Sequence, residues 1–217
     1  MKIMISRTIL LCVFSALVAL SLAQDGNRYH AIVNAQDKYN FRLDYLFEIG
    51  CTLDNTTILP ALDSLMSSFC SDVSSWVAQT TGFPTITLTS FNAIKNNYYT
   101  LATRDFNCGS QHLVTNFHVK LDSTNSSIAA VRAYIHQLGY FAVNVLTALG
   151  FNNLGGPAVP QWILDLGWYK NSWHEQADGS WCMKEFFSGN HHIFLLPFYV
   201  QTPQTNTKPG TLEQLFP

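Results

Sequence analysis

Two stretches of the sequence decide the fold: Gln111–Lys120, which reads QHLVTNFHVK, and Ile128–His136, which reads IAAVRAYIH. In both stretches side chains alternate with a period of two, which is typical of β-strands with one face turned toward a core. The turn sequence Asp122–Asn125 lies between them. The pattern therefore predicts two antiparallel strands joined by a short turn.

The same alternation assigns the side chains to faces. In the first strand it places His112, Val114 and Asn116 on one face, together with His118. In the second strand it places Tyr134 and His136 on one face. Because residues two apart on a strand point the same way, Tyr134 and His136 have the placement that a shared pocket needs.

Helical periodicity precedes these strands. Apolar stripes predict helices over about 30–52, about 54–69 and 90–101, with Asp54 as a cap of the second helix. The sequence predicts a strand or hairpin over 72–89 and two further strands over 173–187 and 192–200. The first of these two strands contains a turn at Asp178–Gly179. Helices followed by antiparallel strands indicate an α+β fold. We expect a curved antiparallel sheet packed against about three N-terminal helices and enclosing a cavity.

Composition limits the classes of protein. The chain has 217 residues, of which 47% are hydrophobic and 12% charged, so it can bury the core of one domain. This balance excludes intrinsic disorder. The formal net charge is -2, and no stretch concentrates lysine or arginine, so no nucleic-acid partner is expected.

The N-terminus has the pattern of a secretory signal peptide. Lys2 and Arg7 precede an apolar run over residues 9–22, and Ala23 ends a small-residue cleavage site. We predict that residues 1–23 are removed and that the protein is secreted, with no membrane association after cleavage. Residues 24–217 then form a single domain, with an insertion at about 138–168 and a loose C-terminal tail.

Secretion favours disulfide bonds between the four remaining cysteines, Cys51, Cys70, Cys108 and Cys182. The second predicted helix would carry Cys70 roughly 18 Å from Cys51, too far for a bond between them. Two pairings stay open: Cys51–Cys108 with Cys70–Cys182, or Cys51–Cys182 with Cys70–Cys108. Two Asn-x-Thr/Ser sequons predict glycosylation at Asn55 and Asn125.

Several motif classes are missing from the sequence. It contains no Gly-rich phosphate loop and no G-x-S-x-G nucleophile elbow. These observations argue against nucleotide enzymes and serine hydrolases. No histidine, cysteine or carboxylate set has the spacing of a metal site, so we expect neither a metal nor a cofactor.

Scattered residues across most of the mature chain resemble one superfamily. They are Asp54 in Thr52–Asn55, His112 in Ser110–Asn116 (SQHLVTN), His136 in Ile135–Gln137, and Asp178–Trp181 (DGSW). This order resembles nuclear transport factor 2 and its SnoaL-like relatives, which include scytalone dehydratase and polyketide cyclases and share a cone-shaped fold.

The resemblance implies roles for individual residues. His112 matches the catalytic histidine, Asp54 its acidic partner and His136 a second catalytic histidine. Tyr134, Asn171 and Asn116 are the predicted substrate-binding residues. Leu53 departs from the pattern, because scytalone dehydratase has a tyrosine there.

Two functions follow from these assignments. A histidine held by a carboxylate can remove a proton α to a carbonyl and return one to a leaving hydroxyl. The first hypothesis is therefore a secreted dehydratase, cyclase or isomerase acting without metal on a small apolar oxygenated metabolite, such as a polyketide. The alternative is a secreted carrier that binds such a ligand without catalysis. The resemblance also allows a homo-oligomer.

Overall fold

The structure is a computed structural model that describes residues 7–80, 84–141 and 161–195. These residues form three α-helices, α1 (Arg7–Gly50), α2 (Asn55–Met66) and α3 (Phe91–Thr100), with a π-helical turn at Leu101–Asp105 after α3. They also form six strands: β1 (Ser75–Thr80), β2 (Ile86–Leu88), β3 (Phe106–Leu121), β4 (Ile128–Phe141), β5 (Gln161–Glu175) and β6 (Trp181–Leu195).

The strands form one curved, open sheet in the order β2-β1-β6-β5-β4-β3. The four long strands β3 to β6 are antiparallel neighbours, as the alternating pattern predicts. The sheet is nevertheless mixed, because β1 pairs with β6 in parallel. The cause is the segment after α2, which runs alongside β6: Cys70 and Ser74 donate backbone hydrogen bonds to Met183 and Lys184. The α+β class is confirmed.

The helices pack on the inner face of this sheet. Buried apolar residues from α1, α2, α3 and the inward positions of the strands form one core that includes Leu46, Leu65, Ile94, Ile135 and Trp173. Gly50 ends α1 against the π-helical turn, where an added Cβ would lie 2.1 Å from the carbonyl oxygen of Ala102. This close approach fixes the C-terminal half of α1 over the sheet.

The second helix starts at its predicted cap, Asp54, and the third helix starts where its predicted range begins, at Ser90. Asp54 caps α2 by accepting the backbone N–H of Thr56, and Ser90 caps α3 by accepting that of Ala93. The predicted hairpin at 72–89 is also present as the antiparallel pair β1 and β2.

Two strand predictions need correction. Residues 173–187 are not one strand, because the turn around Asp178–Gly179 separates β5 from β6. The predicted insertion at 138–168 is also too wide, because β4 continues to Phe141 and β5 begins at Gln161. The predicted strand at 192–200 starts within β6, and its residues after 195 lie outside the described residues, as do 142–160 and the predicted tail.

The N-terminal segment is helical from Arg7, in continuity with the first helix of the domain. Among the described residues, no helix combines the length and the apolar character needed to cross a membrane. The signal peptide at 1–23 stays a prediction.

A disulfide joins Cys70, just after α2, to Cys182, at the start of β6. This bond excludes the pairing of Cys51 with Cys182 and of Cys70 with Cys108. Cys51 is also disulfide-bonded, and its partner lies outside the described side chains. The pairing of Cys51 with Cys108 therefore stays a prediction.

Candidate active site

The central feature of the site is a contact between α1 and β3. Nδ1 of His112 lies 2.5 Å from Oδ1 of Asp44, and the backbone N–H of His112 donates to Oδ2 of the same carboxylate at 3.0 Å. The histidine side chain is 3% exposed and the aspartate 25%. A carboxylate that accepts Nδ1–H leaves Nε2 as the basic ring nitrogen. Within the described residues, Nε2 makes no hydrogen bond, so it is the atom available to a substrate.

The acidic partner of His112 is therefore Asp44, and the predicted pairing with Asp54 is wrong. Asp54 is exposed at the start of α2, where its carboxylate accepts from Thr56 and Thr57. The hydrogen bonds from Thr56 are the main reason that the pKa of Asp54 is lowered from its usual value. Its carboxylate is occupied by the hydrogen bonds of the helix cap, and the residue is exposed.

A β-bulge that follows Thr115 on β3 changes which side chains share a face with His112. The register of β3 against β4 shifts between Thr115 and His118, and Asn116 has a positive φ of 53°. Asn116 is exposed and does not line the site, so the prediction that it binds substrate is wrong. The bulge also changes the predicted face assignment, because His112 now shares the inner face with Phe117 rather than with His118.

Three polar side chains form a row across the inner face of the sheet. His112 on β3 pairs with Gln137 on β4, and Gln137 pairs with Asp165 on β5. Gln137 and Asp165 are both buried, and Gln137 donates from Nε2 to Oγ of Ser110. Neighbouring strands are about 4.8 Å apart, so the backbones of His112 and Asp165 are separated by about 10 Å. A small molecule lying on this row could contact all three residues.

Tyr169 lies on the same inner face, two inward positions along β5 from Asp165. It is buried, and burial is the main cause that raises its pKa well above the usual 10.0. The negative charges of Asp165 and Asp44 contribute to the same shift, which places the phenol in the field of both carboxylates. Its hydroxyl therefore stays protonated at neutral pH and makes no hydrogen bond within the described residues.

Two further tyrosines form a closed network deeper in the core. The hydroxyl of Tyr98 lies 2.7 Å from that of Tyr39 and accepts from the indole N–H of Trp76 at 2.8 Å. Burial is the main cause that raises the pKa of both phenols. Because its hydroxyls are already paired, this network supports the packing and leaves Tyr169 as the phenol free for a ligand.

His136 and Tyr134 are on the opposite face of the sheet. Both are exposed, whereas the inward positions of β4 are the odd-numbered residues from Ala129 to Gly139. They do share one face, as predicted, but it is the outer one, because the core takes the other set of the alternation. The prediction that they meet His112 in a pocket is wrong.

Asn171 points inward but does not reach His112. It is 1% exposed and donates from Nδ2 to Oε1 of Gln36 on α1. Its position on β5 is roughly 20 Å along the strand from the row that contains Asp165. Asn171 therefore belongs to the packed end of the core, not to the substrate-binding set predicted for it.

Sequence reasoning missed Asp44, Gln137, Asp165 and Tyr169. Asp44 lies off the apolar stripe of the first helix, where the sequence pattern does not distinguish a half-buried carboxylate from an exposed one. Gln137 falls one residue beyond the predicted strand, although the alternation from Ala129 to Ile135 continues to it. Asp165 lies in the segment interpreted as an insertion.

The two predicted glycosylation sites lie outside this site. Asn55 and Asn125 are both exposed, Asn55 at the start of α2 and Asn125 in the turn between β3 and β4. In the part of the chain that the structure describes, no cluster of three or more His, Cys, Asp or Glu residues is placed to hold a metal ion.

Comparison with known proteins gives matches at the level of structure alone. No protein-family model matches the sequence, and no curated protein matches it either. A candidate aromatic ring hydroxylase from Novosphingobium aromaticivorans is similar in structure, with a TM-score of 0.53, 14% identity, and coverage of 76% of this chain and 91% of that one.

Two hexachlorocyclohexane dehydrochlorinases are similar to the same extent. The type 3 enzyme from Novosphingobium barchaimii has a TM-score of 0.51, 13% identity, and coverage of 82% of this chain and 99% of that one. A type 2 enzyme has a TM-score of 0.51, 14% identity, and coverage of 82% and 97%. The chain therefore has the cone-shaped α+β fold of the SnoaL-like proteins and nuclear transport factor 2.

Proposed function

We propose that this protein is an acid–base enzyme that acts on a small, largely apolar, oxygenated molecule. The observation that carries the proposal is the contact between the buried ring of His112 and the partly buried carboxylate of Asp44 on the inner face of the sheet. A histidine whose Nδ1–H is held by a carboxylate has a fixed tautomer and presents Nε2 as its basic nitrogen. These are the requirements of a general base that later acts as a general acid.

A dehydration illustrates the chemistry. Nε2 of His112 removes a proton from the carbon α to a carbonyl, and the electron pair moves onto the carbonyl oxygen as an enolate. The imidazolium then gives the proton to the β-hydroxyl, which leaves as water while the carbon–carbon double bond forms. The products are an enone and water, with no change of oxidation state overall. Isomerisation or cyclisation uses the same first step.

The other inward polar residues would bind and orient the substrate. The protonated hydroxyl of Tyr169 is suited to donate to the enolate oxygen, because a fixed donor inside a protein stabilises a developing charge. Gln137 and Asp165 lie on the row beside His112 and would hold the oxygen substituents. Ala133 and Gly139 are small residues at inward positions of β4, so they would leave space beside them for a ring of the substrate.

The structural comparison supports the same reaction class. The two similar proteins described as hexachlorocyclohexane dehydrochlorinases are named for the loss of hydrogen chloride from a carbon ring. Loss of water from a hydroxyketone is also an elimination that begins with proton removal from carbon. We extend this class of reaction to the present chain, with a polyketide-like metabolite as the proposed substrate.

The test is turnover of a defined hydroxyketone, the aldol adduct of benzaldehyde and acetone. The wild-type protein should convert it to benzylideneacetone, a product lighter by one water in mass spectrometry. His112→Ala should not, whereas His136→Ala, a change on the outer face, should keep the activity. Equal conversion by wild type and His112→Ala would refute the proposal. Binding of the unchanged compound by both would favour the carrier function.

We also infer secretion, with cleavage after Ala23. The disulfide between Cys70 and Cys182 and the exposed sequons at Asn55 and Asn125 support this inference. Expression in a eukaryotic secretory host should yield a chain that begins near Gln24 and shifts in mass on treatment with peptide N-glycosidase. A cell-retained chain that starts at Met1 would contradict it.

A homodimer through the outer face of the sheet is also proposed. Leu113, Tyr134 and Phe194 are among the exposed large hydrophobic residues, at 61%, 44% and 51%, and all three lie on strands of this face. Burying such side chains against a second copy would remove apolar surface from water. Light scattering should give twice the chain mass for the wild type, and Leu113→Lys should shift it toward the monomer.

A further inference from the structure

A concave site lies at the disulfide end of the molecule, and its lining does not include His112, Gln137 or Asp165. It is a groove of about 560 Å³ between one face of α1, the segment after α2 and the turn between β5 and β6. Small-molecule sites usually measure about 300–1,000 Å³, so the groove is large enough for a bound metabolite. Lys38 and Arg42 line it, and none of its lining residues is acidic.

The two cations of the groove have no carboxylate partner within the described residues. Arg42 donates to the hydroxyl of Ser68 at 3.0 Å, and Lys38 makes no ion pair there. By contrast, four other cations are paired with acids: Arg28, Lys95, Arg104 and Lys184. The groove therefore concentrates uncompensated positive charge in a concave, part-enclosed place.

Hydroxyl donors face the same space. Ser68 and Ser71 both line the groove, and neither donates its hydroxyl hydrogen to any group within the described residues. The oxygen of Ser68 already accepts from Arg42, which leaves its O–H free to donate. A tetrahedral oxyanion is bound by groups of this kind: a guanidinium, an ammonium group and hydroxyl donors.

The walls of this groove are held rigidly. The disulfide between Cys70 and Cys182 lies in its wall, and backbone hydrogen bonds join Ser68, Cys70 and Met183. Fixed walls reduce the entropy that a ligand must lose from the protein when it binds. The groove is thus preformed, not assembled by a flexible loop.

We propose that this groove is a binding site for a phosphate or sulfate group, either as a free ion or as an ester of a small molecule. Lys38 and Arg42 bind the anionic oxygens, and Ser68 and Ser71 donate to them. The site is separate from the proposed catalytic row and does not depend on the function proposed for it.

The helix itself gives a second reason to expect an anion. Lys38 and Arg42 are four residues apart on α1, so their like charges face each other and weaken the helix. A bound dianion between them removes this repulsion, and any ligand of the native state raises the unfolding temperature. Binding should therefore raise the unfolding temperature of the protein and also produce a heat signal in a calorimetric titration.

The experiment is calorimetric titration of the mature, disulfide-bonded protein with inorganic phosphate, inorganic sulfate and glycerol phosphate, at constant ionic strength set with sodium chloride. The wild type should bind at least one of the three saturably at one site and unfold at a higher temperature in its presence. Lys38→Gln and Arg42→Gln should each weaken the affinity about tenfold or more. Lys170→Gln, which removes an exposed cation on the outer face of the sheet, should bind like the wild type.

The outcomes separate the source of the anion. Tighter binding of glycerol phosphate than of inorganic phosphate identifies an ester as the ligand, and equal binding identifies the free ion. The absence of saturable binding by all three compounds would overturn the proposal. So would equal affinity in the wild type, Lys38→Gln and Arg42→Gln, because the anion would then bind elsewhere.

Discussion

The carboxylate of Asp44 holds His112 at two points: Oδ1 contacts the ring Nδ1 at 2.5 Å, and Oδ2 accepts the backbone N–H at 3.0 Å. One contact fixes the orientation of the ring and the other ties the helix to the strand that carries it. The pair therefore couples the position of α1 to the direction of Nε2. The proposed acid–base chemistry depends on this coupling.

Asp44→Asn is expected to lower turnover of the benzaldehyde–acetone adduct by about 100- to 10,000-fold. An amide can accept only one of the two N–H groups, and its NH2 would face the other, so the histidine tautomer is no longer fixed. Asp54→Asn is the matched control, because asparagine is an equally good helix cap and the carboxylate of Asp54 bonds to Thr56 and Thr57, not to His112. Comparable losses in both variants would refute the assignment of Asp44.

Tyr169→Phe should lower kcat by about 100- to 1,000-fold without changing the fold, because the donor to the enolate oxygen is lost. The rates are measured with the same adduct, and circular dichroism checks the fold. Tyr134→Phe removes the same hydroxyl on the outer face and should leave kcat unchanged. If Tyr169→Phe retains full kcat, the phenol has no part in stabilising the enolate.

The buried tyrosines predict a loss of stability at high pH. Tyr39, Tyr98 and Tyr169 have pKa values raised above 10.0, mainly by burial. In the unfolded chain they ionise near 10.0, so their contribution to stability is complete below pH 10 and falls as the pH rises above it.

A spectrophotometric titration tests this pH dependence. The nine tyrosines of the chain should ionise in two steps, and the fold should persist through the first. The buried three should ionise only together with the loss of circular dichroism. Tyr98→Phe should reduce the amplitude of that second step by one tyrosine. Ionisation of all nine in a single step, with the fold intact, would contradict the burial.

Replacing both Cys70 and Cys182 by alanine should lower the free energy of unfolding by about 2–5 kcal/mol. The bond closes a separation of 112 residues, so its loss frees many conformations of the unfolded chain. The measurement is denaturant unfolding of the double variant against the wild type. An unchanged midpoint would mean that backbone pairing between the segment after α2 and β6 holds this end without the bond.

Local sequence patterns predicted two strands and two helix starts, because each of these features depends on a short stretch of sequence. The alternation over 111–120 and 128–136 gave β3 and β4, and Asp54 and Ser90 marked the starts of α2 and α3. The parallel pairing of β1 with β6 could not be predicted, since it depends on the path of the chain after Cys70. The extent of β5 was not predicted, because its first residues belong to the stretch 138–168, which has the apolar, Gly- and Pro-bearing sequence of an insertion.

Only one residue of the central pair of the candidate site, His112, was predicted from the sequence. His112 stood out because a histidine on an alternating strand resembles the family pattern. Its partner Asp44 is 68 residues away and is brought near by the packing of α1 on β3, which no local pattern records. The face of Asn116 was misassigned because a bulge in β3 interrupts the alternation after Thr115. The role of His136 was misassigned for another reason, because alternation alone does not tell which face of β4 meets the core.

The most direct test of the central claim is exchange of a proton on carbon. Benzylacetone has an acidic carbon next to a carbonyl but no group that can leave, so it isolates the first step. In deuterium oxide, the wild-type protein should accelerate deuterium uptake at that carbon, and His112→Ala should fall to the rate of the buffer alone. Equal uptake with wild type and His112→Ala would contradict a general base at His112.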